Sequence, residues 1–164
     1  MKGKFIIIYF LILLILNLGI AKDIYYLDFS KETTSGNLIY EISKGVRKEK
    51  ENSSYHLAFL RPESFLRLYT PVSKDLSPFR VILRISLMTP LLPYAENWTP
   101  IEILINDKSI VRGWDIGSNI YISPSFDITL YWLKGSTNKI EIRLEKEANG
   151  ELWLKNVEII VYER

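Results

Sequence analysis

Apolar and polar side chains alternate along several stretches of this sequence, and this alternation is the feature that most limits its possible folds. In KIEIRLE (139–145), Ile140, Ile142 and Leu144 fall on one side and charged residues on the other. The stretches 79–87, 101–107 and 157–163 show the same period of two. Successive side chains of a β-strand point to opposite faces, so each stretch predicts a strand with one face on a core.

Turn-forming residues separate these stretches. Glycine, proline or asparagine occurs at 35–37, 61–63, 77–78, 105–108, 134–135 and 149–150. Weaker alternation predicts further strands at 24–29, 37–43, 55–60, 64–70 and 118–123. Many short strands with frequent turns and no convincing helix predict an all-β sandwich or barrel. The charged stretch KGVRKEKE (44–51) alternates in sign and lacks aromatic residues, and we interpret it as a solvated loop.

The first 21 residues have the organisation of a secretory signal peptide. Two lysines precede an apolar run from Phe5 to Ala21, and small residues close that run. We therefore predict cleavage after Ala21, which leaves residues 22–164 as a single β-sandwich domain. The alternative is an uncleaved membrane anchor at 5–21, since about 17–25 apolar residues span a bilayer. In both cases the domain is predicted to lie outside the cytoplasm, either secreted, at the cell surface or anchored in the membrane.

The composition excludes several classes of function for residues 22–164. Without the two lysines of the first 21 residues, 19 basic and 19 acidic side chains remain. This balance provides no electrostatic footprint for nucleic acid, which we exclude as a partner. The chain has no cysteine and a single histidine, His56, so disulfides, thiolate zinc sites and multi-histidine metal sites are excluded as well.

The segment FDITLYWLKGSTNKIEIRLE (126–145) predicts a short strand, a turn and a returning strand. Three apolar side chains are expected to point inward from the first strand: Phe126, Ile128 and Leu130. Leu133 is expected to fill the core before the turn, and Gly135 to supply a positive φ. Three polar side chains are expected to bond nearby backbone groups: Asp127, Thr129 and Asn138.

The same segment, followed by GELWLKNVEIIV, resembles the C-terminal half of galactose-binding-domain-like jelly rolls. The stretch PIEILINDKSIVRGW is similar to a strand–turn–strand unit of those domains, in which an asparagine, here Asn106, opens a short hairpin. The resemblance covers residues 79–162 and implies an antiparallel jelly-roll β-sandwich, as in sugar-binding domains of glycoside hydrolases and carbohydrate-binding modules. Domains of this fold bind sugars, lipids or proteins, or only brace enzymes, so the fold does not assign the function.

Tryptophans are the main candidates for a sugar site, because carbohydrate binding uses flat apolar faces rimmed by polar groups. Trp132 and Trp153 lie in or beside alternating strands, and we interpret them as core or sheet-face residues. Trp98 and Trp114 lie in predicted loops, which carry function more often than sheets do. The candidate ligand-binding residues are these two and their neighbours: Trp98, Trp114, Tyr94, Asn97, Arg112 and Asp115. The alternative is that both indoles cap the open ends of the core, and that Arg112 pairs with Asp115 on the surface.

Enzymatic chemistry has little support in the sequence. A glycosidase needs two carboxyl groups at a set separation, but Glu102 belongs to an alternating strand face and Asp107 to a turn. His56 lies in a predicted strand and has no sequence neighbour that suggests a catalytic triad. The resemblance implies no organic cofactor, but some jelly rolls of this type hold a structural calcium. Asp28 and Glu158 are its conceivable ligands here.

We therefore expect an exported, non-catalytic binding module whose partner is carbohydrate, on a glycan or the cell envelope. The alternative is a structural or assembly role at the cell surface, with a partner protein bound to a sheet face. Four apolar residues lie opposite the core sets of their strands: Ile82, Leu104, Ile160 and Tyr162. One exposed patch of these residues would favour the partner protein, and burial of the set would remove that support.

Overall fold

The computed structural model describes residues 20–72, 78–90 and 98–163, which form twelve strands and one 3-10 turn. The strands are β1 (Ile20–Asp28), β2 (Thr33–Ser35), β3 (Ile39–Ile42), β4 (Val46–Glu51), β5 (Ser54–Phe59), β6 (Phe65–Tyr69), β7 (Arg80–Met88), β8 (Pro100–Ile105), β9 (Lys108–Asp115), β10 (Ser125–Asp127), β11 (Lys139–Leu144) and β12 (Leu152–Glu163). The described strands form two antiparallel sheets, which confirms the predicted all-β sandwich. None of the described residues belongs to a helix long and apolar enough to cross a membrane. Residues 1–19 of the predicted signal segment lie outside the described residues.

Strand β12 is the centre of the first sheet. It pairs with β7 on one side, and on the other side with β5 and then β1. The order of this sheet is β10-β7-β12-β1-β2, with β4 attached to β5. The second sheet has the order β3-β6-β11-β8-β9. A register shift between Leu154 and Asn156 exchanges the two faces of β12, so that Leu154 and Val157 are both fully buried.

The core lies between the sheets and uses the alternating positions that the sequence predicts. The fully buried residues of β7, β8 and β11 are Val81, Leu83, Ile85, Leu87, Ile101, Ile103, Ile105, Ile140, Ile142 and Leu144. Complete burial of an aliphatic side chain of this size stabilises a fold by about 1.5–3 kcal/mol. These three strands and the C-terminal part of β12 are therefore confirmed as strands with one face in the core.

The structure contradicts the secondary structure predicted for two stretches of the chain. The stretch 44–51, interpreted as a loop, is mostly strand β4, which pairs only with β5 at a sheet edge. Only Val46 of β4 is buried, so this strand needs no apolar face, and its exposed charges discourage pairing with other chains. The stretch 118–123 is not a strand, because only Ile122 pairs, with Leu87. Ser118 Oγ instead donates to Ile120 O at 2.9 Å, a local bond that competes with strand pairing.

In the segment 126–138, the alternation of inward and outward side chains ends after Ile128. Phe126 is half-buried and Ile128 is fully buried, as predicted, but Leu130 and Leu133 are exposed and not in the core. The physical reason is the 3-10 turn Thr129–Tyr131, which rotates successive side chains by about a third of a turn instead of half. Other expectations for this segment are confirmed, because Gly135 has a φ of 64° and Thr129 N donates to Asp127 Oδ1 at 3.1 Å.

The strand register defines two ends of the sandwich. At the proximal end, β1 begins and β12 finishes, with Ile20 opposite Glu163. Strand β7 begins at the same end, because Arg80 lies opposite Tyr162. At the distal end, β7, β9 and β11 finish while β8 and β12 begin.

Loops of both sheets meet at the proximal end. The turn that follows β10 is tied to the start of β7, since Val81 N donates to Thr129 Oγ1 at 2.8 Å. The hairpin between β8 and β9 is tied to the same turn, since Asn106 Nδ2 donates to Tyr131 O at 2.8 Å. Asn106 has a φ of 51°, and its predicted role at the hairpin turn is confirmed.

Candidate functional site

The segment that carries Trp98 is held firmly at the distal end. Trp98 N donates to Asn149 Oδ1 at 2.8 Å, and Trp98 O accepts from Asn149 N and Gly150 N at 3.0 and 3.2 Å. Pro100 O accepts from Glu145 N at 2.8 Å, so residues 98–100 run along the turn that joins β11 to β12. The indole of Trp98 is nevertheless 44% exposed. A flat apolar face is therefore presented to solvent from a fixed backbone.

Asp115 fixes the same segment from the other side. Its Oδ1 accepts from Thr99 N at 3.1 Å and from Thr99 Oγ1 at 3.2 Å. Thr99 is fully buried and its hydroxyl also lies 2.8 Å from Thr89 Oγ1. Asp115 forms no ion pair with Arg112 among the described residues, so the surface pairing considered from the sequence is absent there. We assign Asp115 a positioning role behind Trp98.

A cleft of about 190 Å³ opens beside the turn that holds Trp98. Its lining is charged and comes from several separate segments: Glu63, Glu102, Arg112, Arg143, Leu144, Glu145, Lys146 and Glu147. An ion pair joins Arg143 to Glu102 in this lining. Burial alone would raise the pKa of Glu102, but hydrogen bonds from Arg143 and Ser109 and the charges of Arg143 and Arg112 outweigh it, and the pKa lies below its ordinary value. Glu102 is therefore held as a carboxylate and is not poised to donate a proton.

Arg112 reaches this cleft through an irregularity in β9. The register of β8 and β9 shifts between Ile101 and Ile103, opposite Arg112 and Gly113. Gly113 has a φ of 67°, and its N–H donates to the carboxylate of Glu145. Arg112 is exposed and forms no salt bridge with any residue in the described part of the chain. The bulge thus presents a guanidinium whose hydrogen-bond donors are free for a ligand.

Trp114 does not lie in a loop, as its sequence context predicts, but in strand β9 opposite Ile101. Its ring meets Phe126 edge to face, with centroids 5.8 Å apart and planes at 70°. Phe126 belongs to β10 at the edge of the other sheet. The half-buried indole therefore closes one side of the core, which agrees with the alternative interpretation of Trp114. Two other candidates, Tyr94 and Asn97, lie outside the described residues.

The remaining tryptophans pack as the sequence suggests. Trp132 is half-buried against the core. Trp153 stacks on His56, with centroids 4.1 Å apart and planes at 22°, and its N–H donates to Glu151 Oε2 at 3.2 Å. His56 itself is buried. Both residues are part of a packed sheet face.

The described structure does not support a calcium ion at Asp28 and Glu158. Both oxygens of Asp28 are already occupied, since Oδ2 accepts from Tyr26 and Oδ1 from Ser30 N, Ser30 Oγ and Lys31 N. Glu158 Oε2 accepts from Arg84 at 2.9 Å. Calcium prefers several carboxylate and carbonyl oxygens free to converge. No group of three potential ligands for a metal occurs among the described residues.

The four apolar residues opposite the core sets do not form one exposed patch. Ile82 and Ile160 are paired neighbours in the first sheet, and both are buried. Tyr162 is half-buried near the end of β12, and Leu104 is half-buried in the second sheet. The observation that would have favoured a partner protein on a sheet face is therefore missing.

The sequence did not identify most of the cleft. Glu63, Arg143 and the stretch 145–147 come from parts of the chain far apart in sequence. The available signal was indirect: the turns predicted at 61–63 and 149–150 flank charged residues. Only the fold shows that these turns meet at one end.

Comparisons with known proteins concern the fold. No family model and no curated protein matches this sequence. Among solved structures, the carbohydrate-binding module CBM36 in complex with calcium and xylotriose matches with a TM-score of 0.55 and 9% identity, over 82% of this chain and 98% of the module. A family 35 carbohydrate-binding module from Clostridium thermocellum matches with a TM-score of 0.51 and 11% identity, over 82% of this chain and 96% of that one. The insecticidal crystal protein CRY2AA matches with a TM-score of 0.53 and 8% identity, over 84% of this chain but 21% of that protein.

These likenesses confirm the resemblance to the β-sandwich of carbohydrate-binding modules, without a particular subfamily. The match to both modules extends over nearly their whole length. At such low identity the agreement concerns the path of the backbone, and the function must be argued from the site.

Proposed function

We propose that this protein is a non-catalytic carbohydrate-binding module that acts outside the cytoplasm. The observation that carries the proposal is the exposed side chain of Trp98, whose backbone is bonded to the turn between β11 and β12. Residues 145–147 of the same turn line the charged cleft. A flat aromatic face next to convergent polar groups is the arrangement that suits a pyranose, whose ring has an apolar face and a hydroxylated rim. The fold likeness to carbohydrate-binding modules supports the proposal but does not carry it.

Each part of the site has a distinct role in this proposal. The indole of Trp98 stacks against C–H groups of a sugar, while carboxylates of the cleft accept hydrogen bonds from its hydroxyl groups. Arg112 donates to sugar oxygens from the bulge in β9. Because the backbone of Trp98 is already ordered, little conformational entropy is lost on binding.

The charge of the cleft favours a neutral glycan. Its lining contains four glutamates and three basic residues, of which Arg143 and Glu102 already pair. This near balance offers neither the cationic surface that a polyuronate needs nor a strongly acidic one. A neutral polysaccharide or envelope glycan is therefore the proposed ligand class.

The test is a binding screen of the full chain against neutral and charged polysaccharides and a glycan array. Trp98→Ala is the site variant, and Phe79→Ala is the matched control, since Phe79 is 41% exposed at the proximal end. Removing an aromatic contact worth about 1.5–3 kcal/mol should weaken binding by about tenfold or more. We expect that loss in Trp98→Ala, with an unchanged melting temperature, and unchanged affinity in Phe79→Ala.

Arg112→Ala supplies a second test of the same site. It should weaken binding without changing the melting temperature, because Arg112 has no salt bridge among the described residues. A folded wild-type chain that binds no glycan would contradict the proposal and favour a partner protein. Export remains a prediction from the first 21 residues, and the cellular fraction that contains the protein would test it.

A further inference from the structure

Apolar side chains are concentrated on the loops of the proximal end. Leu130 is 94% exposed, Val72 53%, Leu133 50% and Phe79 41%. We call these four residues the proximal patch. Phe79 and Leu130 line one open groove of about 430 Å³, together with Arg80, Asp127 and Thr129. Single exposed apolar residues are common, whereas neighbouring ones from separate loops usually mark a contact surface.

The exposure of Leu130 is fixed by the fold. The 3-10 turn that carries it is held on one side by Thr129, which bonds Val81 N and Asp127 Oδ1. On the other side, Tyr131 O accepts from Asn106 Nδ2. Leu130 thus stands between two anchored residues and cannot turn inward without breaking these bonds.

The Leu133 and Val72 loops are tied to each other at the same end. Leu133 N donates to Asn138 Oδ1 at 2.7 Å, and Thr70 N donates to Asn138 O at 3.0 Å. Asn138 therefore connects two loops of the patch. The backbone of Leu133 and the backbone two residues before Val72 are thus held by the same residue.

The sequence that precedes β1 indicates what covers this surface. β1 begins at Ile20, inside the apolar run from Phe5 to Ala21. An extended residue spans at most about 3.3–3.6 Å, and no linker residue separates the run from the strand. If the run is in a bilayer, the proximal end must lie at the bilayer surface.

The pairing of β1 also favours retention of the run. Ile20 pairs with Glu163 and Ala21 pairs with Tyr162, so cleavage after Ala21 would remove two positions from the strand. The last two residues of the apolar run are thus the first two residues of β1.

We propose that the apolar residues that precede β1 stay on the chain as a membrane anchor, and that the proximal patch rests on the lipid bilayer, with Leu130 entering the interfacial region. The occupant of the patch is a lipid surface, because the chain itself leads the apolar residues 5–19 to that end. Apolar loop residues gain from contact with the headgroup–acyl boundary, where charged ones would not. This proposal does not depend on sugar binding. It places the Trp98 cleft roughly 30 Å from the membrane, from nine residues of β7 at about 3.3 Å each.

The absence of cysteine from the sequence allows a clean test. A single cysteine at Leu130→Cys is labelled with an environment-sensitive fluorophore, and the full chain is reconstituted into phosphatidylcholine vesicles. The matched control is Ile120→Cys, since Ile120 is 68% exposed and lies near Leu87 at the distal end of β7. We expect a blue-shifted emission and quenching by spin-labelled lipid at position 130, and neither at position 120.

Several results would overturn the proposal. A label at position 130 that is as hydrated as the label at 120 would show that the patch does not touch lipid. Equal quenching at both positions would show that the proximal end is not the part of the domain that faces the bilayer. A shift that appears only at high protein density in the vesicle would assign the patch to a second copy of the chain. Mature protein that begins at residue 22, measured by intact mass after export, would refute the anchor.

Discussion

His56 is a residue whose environment has a measurable consequence. Its ring is buried against Trp153, and its Nε2 atom has no hydrogen-bond partner among the residues that the structure describes. Burial lowers the pKa of His56, and the carboxylates of Glu49, Glu51 and Glu151 oppose that effect without reversing it.

Acidification should therefore destabilise the protein in part through His56. An unfolded histidine has a pKa of about 6.5, so below that pH the unfolded chain binds a proton that the folded chain does not. This destabilisation is absent above a pH of about 6.5, and the free energy of unfolding falls as the pH drops below that value. We expect the urea midpoint of wild type to fall when the pH is lowered from neutral to below about 6.5. The midpoint of His56→Gln should fall less over the same range. An equal fall in both proteins would show that other groups cause it.

Trp114 and Trp98 should differ sharply in their effect on stability. Trp114→Ala removes the ring that closes the core against Phe126. Truncation of a fully buried tryptophan costs about 3–5 kcal/mol, and we expect about 2–3 kcal/mol for this half-buried one. Trp98→Ala should change the free energy of unfolding by less than about 0.5 kcal/mol. Chemical denaturation measures both, and a strongly destabilised Trp98→Ala would make Trp98 a structural residue and invalidate its assignment as a binding residue.

Among the elements, the turn between β10 and β11 depends on a single amide. Asn138 Oδ1 accepts from Leu133 N and from Asn106 Nδ2, and Asn138 Nδ2 donates to Leu133 O at 2.9 Å. Asn138 is buried, so water cannot replace these bonds in a truncated variant.

Asn138→Ala should therefore cost about 1–3 kcal/mol, the cost of leaving buried donors and acceptors unpaired. Ser136→Ala is the matched control in the same turn, because the side chain of Ser136 is exposed and only its carbonyl contacts Asn138. Denaturant titration compares the two. A loss in Asn138→Ala no greater than in Ser136→Ala would show that the turn does not rely on this amide.

The elements that could be predicted are those whose side chains alternate against the core. β7, β8, β11 and the end of β12 have that pattern, and each was assigned from sequence. β4 was missed because its pairing at the sheet edge leaves its charges in water. The inward positions of Leu130 and Leu133 were wrong because a 3-10 turn held by side-chain bonds replaces the strand there. Local hydrogen bonds of this kind leave no periodic signal in the sequence.

For the whole molecule, the sandwich could be predicted, but the candidate site could be predicted only in part. Trp98 lies in a loop, as its sequence context predicts, and it is 44% exposed, while its role in binding stays a prediction. Trp114 shared its sequence features and yet closes the core, since the position of a strand edge depends on pairing between distant segments. The cleft depends even more on long-range pairing, because it joins residues near 63, 102, 112 and 145. Under the two proposals, the distal end binds glycan and the proximal end rests on a bilayer.

The central position of β12 has a consequence for the timing of folding. The last described strand to be synthesised is the one that pairs with β1, β5 and β7. Before β12 is synthesised, β1, β5 and β7 lack the strand with which all three pair. Pairing between segments so distant along the chain is slow to form. The first sheet should therefore remain incomplete until β12 has left the ribosome.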